Sequence, residues 1–342
     1  LLQEHLRDLL GQVTLLPAPN APDDTDLASV AWALRESGAE RVFLCAFDEI
    51  ASGCWRRAAF GILPPAHLHG RIGGIYHRPR FMAASRWSVD RFLKARGLRR
   101  LVGRRWIAPL LFPDEFLARG VREQFPHAPI HFLPDPCPEG FDGDAAVARA
   151  RLELPADKRV LLFFGTGARR KGLHLAVEAM LNLPPDSRAF LLCAGRLNPE
   201  GATASGLEKL GRQGRARVLN RYVSAEEEKL CFTAAHAVLL PYVNHFGTSG
   251  VLSRAAAAGK MVIVSNEQLI GRLTRERKLG LLFASGDARE LRECLCQAAA
   301  MSEEQLCGWR DAARAYARAY SRAAYRAVVL GSLGALEGGH HE

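Results

Sequence analysis

Residues 239–265 read LLPYVNHFGTSGVLSRAAAAGKMVIVS, and this stretch decides the fold. Ala237, Val238, Leu239 and Leu240 make a short apolar run closed by Pro241, as in a buried strand. Residues 245–250, HFGTSG, supply small residues whose backbone N–H groups approach a ligand closely. Residues 250–258 are alanine-rich and predict a tightly packed helix ending at Gly259. Residues 261–264, MVIV, are the next buried strand. A small-residue loop feeding a helix N-terminus concentrates free N–H groups and the positive end of the helix dipole on one spot, the physics of an anion site. An ordinary strand-to-helix connection of an α/β domain fits the same pattern.

A second loop of this kind lies upstream. Residues 159–164, RVLLFF, predict a buried strand; GTGARRKG follows at 165–172, then a helix over 173–181. Lys171 at a helix N-terminus is suited to phosphate, although a charged surface turn reads alike. Strands are expected at 189–194, closed by Gly195 and Arg196, and at 217–219, leading to Asn220, Arg221, Tyr222 and Val223. Ser224 caps a helix over 225–232, with Glu227 completing a capping box. A strand at 279–282 and helices at 287–299 and 312–320 complete this half.

Pro241, Phe246-Gly247, residues 255–262 and the spacing of Gly165, Lys171 and Gly172 resemble the donor site of family-4 glycosyltransferases of the GT-B fold. The likeness spans most of 160–321. It implies an α/β chain of two Rossmann-like domains with a cleft between them and a C-terminal helix crossing back. Residues 1–152 would be the acceptor-side domain, 153–315 the nucleotide-sugar domain and 316–342 the crossover helix. The donor would meet Gly165, Thr166, Arg170, Lys171, Tyr222, Phe246, Gly247, Thr248, Ser249 and Gly250. The departures matter equally. Thr166 stands where the family has Arg, with Arg169 or Arg170 as its replacement. The two donor-site glutamates are missing, and Arg254 occupies the place of the second. An arginine has no acceptor for ribose hydroxyls. Arg254 is therefore expected to contact a donor phosphate or an acidic loop residue, with Glu267 as the ribose acceptor; the competing reading puts Arg254 on the far face of its helix and makes the site degenerate.

The chain has 342 residues, more than one core comfortably serves, so two domains are expected. Hydrophobic residues at 48% and charged residues at 24% indicate a soluble globular protein. Its longest uncharged run, 232–253, is broken by Pro241, Asn244 and His245 and does not span a membrane. Eight cysteines without a Cys-x-x-Cys pair suit reduced thiols in a cytoplasmic protein. The sequence opens without Met, inside an expected helix over 1–10, and a first strand is expected to be missing. A net charge of +10 favours an acidic partner: nucleotide phosphates, anionic lipid or nucleic acid.

The first half predicts strands at 12–16, 42–46, 70–76, 107–112 and 130–133, with helices at 26–37, 48–60 and 114–124 between them. Asp48 and His77 fall at the carboxyl ends of strands, where such sheets hold ligands. By the resemblance His77 faces the reacting sugar; a histidine satisfied by local backbone is the other reading. Arg78 and Arg80 share its loop, either holding an anionic acceptor or simply solvated. Residues 87–106 carry Arg91, Lys94, Arg96, Arg99, Arg100, Arg104 and Arg105 interleaved with apolar positions. A membrane-surface contact and a helix with one buried and one solvated face both fit, while nucleic acid lacks a stacking platform. Asp142-Gly143-Asp144 spells a metal-binding Asp-x-Asp, yet it precedes a helix over 145–152, so Asp144 reads as an N-cap and no metal is assigned.

The resemblance thus implies a glycosyltransferase moving a sugar from a nucleotide sugar, with retention and without metal or cofactor, His77 and Lys171 being catalytic. Asp48, Arg78 and Arg80 lie on the acceptor side, and the acceptor is a sugar or a lipid-linked molecule. The expected location is the cytoplasm, with peripheral contact at the inner face of the membrane. The alternative is a non-catalytic relative that binds a nucleotide or phosphorylated ligand.

Overall fold

The computed structural model describes residues 27–83 and 88–334, and the chain forms two compact units. One comprises Leu1–Phe112 with Phe116–His131; the other comprises Pro113–Glu115 with Phe132–Glu342. The division precedes the expected 152/153 boundary because helix α6 (Ala145–Arg151) packs on α9 (Ala225–Ala234) of the second unit. Residues 316–334 likewise belong to the second unit. The expected helix at 1–10, the strand at 12–16 and Trp87 lie outside the described residues.

The first unit is built on a four-stranded sheet in the order β1 (Val42–Leu44), β2 (Ile72–Ile75), β3 (Ile107–Phe112), β4 (Ile130–Phe132). β1 pairs parallel with β2, and β2 with β3. β2 is shorter than the expected 70–76 because Gly70, at φ 68°, still belongs to the preceding turn. Around the sheet run α1 (Leu27–Ser37), α2 (Asp48–Ala59), α3 (Arg80–Ala83), α4 (Val89–Gly103) and α5 (Glu115–Gln124). α4 buries Leu98, Leu101 and Val102, a stripe at helical spacing. It crosses α2 closely at Gly97, where an added Cβ would stand 1.8 Å from the Trp55 carbonyl oxygen.

The second unit carries six parallel strands in the order β10-β9-β8-β5-β6-β7. These are β5 (Arg159–Phe164), β6 (Ala189–Gly195), β7 (Ala216–Asn220), β8 (Ala237–Leu240), β9 (Met261–Ser265) and β10 (Gly280–Phe283). β6, β8 and β9 are buried throughout, hence their continuous rather than alternating apolar runs. Each fully buried Leu, Val or Phe contributes about 1.5–3 kcal/mol. The helices are α7 (Leu173–Leu181), α8 (Gly201–Arg212), α10 (Gly250–Ala257), α11 (Gln268–Glu276), α12 (Ala288–Ala300), α13 (Glu303–Ala319) and α14 (Arg322–Gly334), besides α6 and α9. The expected capping box is present: Ser224 Oγ accepts from Glu227 N while the Glu227 carboxylate accepts from Ser224 N. Asp144 caps α6, accepting from Val147 N at 2.9 Å.

From β5 the chain builds outward to β6 and β7, then returns to β8 on the other side of β5. Strand order therefore reverses between β5 and β8, and ligands in open parallel sheets bind outside the carboxyl ends at such a point.

Candidate functional site

Two loops leave the reversal point: residues 165–172 after β5 and residues 241–249 after β8. They are locked together, because Val243 N donates to the Arg170 carbonyl at 2.9 Å. Gly172 makes that approach possible. Its φ is 74°, and a Cβ there would stand 1.7 Å from the Pro241 carbonyl oxygen. Gly172 is the N-cap residue of α7 and Ser249 that of α10, and neither helix has a side-chain cap hydrogen bond. Two sets of orphan N–H groups thus open at the carboxyl edge of the sheet.

Lys171 stands between these loops with its Nζ 3.9 Å from the centroid of the Tyr242 ring. It has no ion-pair partner among the described residues. Burial, and then the charge of Arg170, draw its pKa down to about 8. Tyr242 is itself fixed: its hydroxyl lies 3.3 Å from Ser249 Oγ, and its ring is 4.8 Å from that of His245. His245 Nε2 is 3.1 Å from the Thr248 carbonyl and donates to it, so the imidazole braces the loop from within. Burial, chiefly, lowers the His245 pKa and keeps the ring neutral. Thr166, Arg169 and Arg170 are exposed on the other loop. Beside it, Gly167, Arg169 and His174 face Asn198, Glu200 and Thr203 across a cavity of about 300 Å³. Tyr222, 73% exposed, projects from the carboxyl end of β7 with the Arg196 guanidinium 5.8 Å from its ring.

Two expected partners differ. Arg254 does not meet an acidic loop residue: its Nε donates to Glu228 of α9 at 2.7 Å, and its Nη1 to the Gly250 carbonyl at 3.0 Å. From the second turn of α10 the side chain reaches back along its own helix, where α9 already supplies a carboxylate. Glu267 N-caps α11 at the end of β9, and its Oε2 accepts from His245 N at 3.1 Å. The carboxylate holds the loop that contains Phe246, Gly247, Thr248 and Ser249.

In the first unit, Asp48 opens α2 and its two oxygens accept from His77 N at 2.8 Å and Arg78 N at 2.7 Å. Asp48 is thus the anchor of the loop after β2 rather than a free carboxylate on the acceptor side. His77 is exposed, with Nε2 donating to the Cys45 carbonyl at 2.9 Å. Arg78 and Arg80 are exposed on the same loop. Under it lie Phe47, Trp55 and Tyr76, the indole N–H donating to the Tyr76 hydroxyl at 3.2 Å. The basic stretch of α4 is partly structural. Lys94 and Arg56 flank Asp90, and Arg100 donates to the Ala58 and Ala59 carbonyls at the open end of α2. Val89 and Phe92 remain 61% and 53% exposed.

Sequence reasoning singled out Lys171 but passed over Tyr242, His245, Arg196 and Glu228. An aromatic directly after the strand-closing proline was the one available signal for Tyr242. Nothing local marks Glu228 as a partner of Arg254.

The second unit is a doubly wound α/β fold, with two loops and two uncapped helix N-termini at the point where its strand order reverses. Residues 144–315 match the family model Glycosyl transferases group 1, and the chain belongs to that family. It is 29% identical over 147 residues to the lipopolysaccharide core biosynthesis glycosyltransferase LpsE of Rhizobium meliloti, covering 42% of this chain and 40% of that protein. It is 31% identical over 214 residues to a D-inositol 3-phosphate glycosyltransferase of Streptomyces griseus, covering 56% of this chain and 44% of that protein. The matched segments are thus less than half the length of these relatives. Among solved structures, WaaG, a glycosyltransferase involved in lipopolysaccharide biosynthesis, superposes with a TM-score of 0.61 at 17% identity, over 96% of this chain and 86% of that one. Anabaena HepE in complex with UDP gives 0.62 at 14% identity, over 90% and 82%. These likenesses establish the GT-B fold of two Rossmann-like units.

Proposed function

We propose that the protein is a glycosyltransferase that takes a sugar from a nucleotide sugar bound on its second unit. The observation that carries this is Lys171: a half-desolvated cation without a carboxylate, held on the Tyr242 ring between two uncapped helix N-termini. Such an arrangement stabilises a departing diphosphate without reorganisation. Solved HepE structures with UDP and UDP-glucose support a nucleotide-sugar donor here.

The acceptor hydroxyl attacks the anomeric carbon as the bond to the diphosphate breaks, and a donor phosphate oxygen takes the acceptor proton. The configuration is retained. Lys171 and the N–H groups of residues 247–250 take up the charge on the leaving group, with Gly165, Thr166 and Arg170 beside them. Tyr222 with Arg196 offers a face to the base. His77 faces the sugar through Nδ1, and Arg78 and Arg80 meet the acceptor, a saccharide or lipid-linked molecule. Arg96 and Arg99, with exposed Val89 and Phe92, give α4 a peripheral contact with anionic bilayers. Among the described residues no helix is long and apolar enough to cross a membrane.

Thermal-shift measurements across nucleoside diphosphates and nucleotide sugars test the reading: one base series should raise the melting temperature, and Lys171→Ala should abolish the shift. No shift with any of them would overturn it. The replaced residues Thr166 and Arg254 favour one competing reading, a binding protein without turnover. Slow hydrolysis of the stabilising nucleotide sugar separates the two.

A further inference from the structure

α13 places Arg310, Arg314 and Arg318 four residues apart, and α14 repeats the spacing with Arg322 and Arg326. Four residues advance a helix by about 6 Å and keep side chains on one face. All five are exposed, and none has a carboxylate at ion-pair distance among the described residues. α14 contains no acidic residue, and Asp311 is the lone acid between Arg310 and Arg326. The stems of Arg310 and Arg314 are held. A Cβ on Gly259 would stand 3.0 Å from Arg310 Cγ and 3.2 Å from Arg314 Nε, so both lie against the turn between α10 and β9. The heads then lose little freedom on meeting an anion. Arg314 and Arg318 also line a cavity of about 440 Å³, together with Glu139 and Asp142. The potential reaches inward: Lys260 is drawn down to about 8, by burial first and then by Arg149, Arg310 and Arg314.

We propose that the α13–α14 surface docks on an anionic phospholipid bilayer, its guanidinium groups taking headgroup phosphates. Guanidinium forks match phosphate oxygens. Nucleic acid is the poorer fit, because no ring on these helices is free to stack: Tyr316 and Tyr320 are buried, and Trp309 and Tyr325 are partly buried. Leu330, 56% exposed, continues the four-residue spacing with an apolar side chain suited to the headgroup boundary. None of these arginines belongs to the donor loops or to α4.

Co-sedimentation of the full chain with phosphatidylcholine vesicles, with and without phosphatidylglycerol, tests it at low and high salt. The wild type should bind only the anionic vesicles and be released by salt. R310Q/R314Q/R318Q should weaken partition by roughly two orders of magnitude, at about fivefold per arginine, with R322Q/R326Q adding to the loss. R310K/R314K/R318K should retain most of it, and R96Q/R99Q on α4 separates the two surfaces. Circular dichroism and nucleotide thermal shifts of each variant show that the fold and donor site are intact. Unchanged partition of the triple glutamine variant overturns the proposal. So does salt-sensitive binding of RNA or duplex DNA without binding to vesicles, and so does binding to neither.

Discussion

At the scale of single residues, Lys171 sets the strongest expectation. Replacing it with alanine should weaken nucleoside diphosphate binding by about 1.5–3 kcal/mol, the scale of a charge-assisted hydrogen bond. Its lowered pKa adds a sign. Free Lys171 loses its proton as pH rises through about 8, so diphosphate affinity should fall above that pH and binding should take up protons. Calorimetry in buffers of different ionisation enthalpy measures the uptake, and Lys171→Arg should flatten the profile because arginine stays charged. Unchanged affinity in Lys171→Ala would remove Lys171 from the site. Arg254 and Glu228 form a half-buried pair, with side chains 35% and 22% exposed. A double-mutant cycle to alanine, read by urea unfolding, should give a coupling of about 0.5–1.5 kcal/mol. Absence of coupling would mean that the pair does not form in solution.

At the scale of elements, both units depend on backbone contacts that admit no side chain. Gly172→Ala forces a residue at φ 74° against the Pro241 carbonyl and should cost about 2–4 kcal/mol while separating the loops that follow β5 and β8. Loss of both stability and nucleotide binding is expected; retention of both would show that the loops part without consequence. Gly97→Ala similarly pushes α4 off α2 at Trp55 and should cost about 1–3 kcal/mol, seen as a change in tryptophan fluorescence with donor binding preserved.

At the scale of the whole molecule, pH acts on the second unit through His236. Its Nδ1 accepts from Val160 N at 2.9 Å, and burial, then Arg149 and Arg159, depress its pKa to about 3. The unfolded chain, with an ordinary histidine pKa near 6.5, binds more protons between those values. Stability is therefore complete above pH ~6.5 and declines as pH falls toward 3. Between pH 7 and 5 the loss should be about 2 kcal/mol, and a His236→Gln variant should melt with a shallower pH slope. An equal slope in both proteins would assign the acid sensitivity elsewhere.

Continuous apolar runs such as RVLLFF and MVIV, punctuated by Gly and Pro, already specified buried parallel strands, because strands covered on both faces have no polar side. Caps at Asp144 and Ser224 were legible because a cap is satisfied within a few residues of its own position. The turn at residues 165–172 was legible too, because Gly172, at φ 74°, takes a conformation that favours glycine where the strand passes into its helix. What only the tertiary structure decided is where charges and aromatic rings meet across distant segments. Lys171 lies on Tyr242, Arg254 turns to Glu228, Glu267 grips the backbone of His245, and Asp48 holds the His77 loop. Strand order places these partners, and strand order results from long-range burial, of which no local stretch of sequence carries a record.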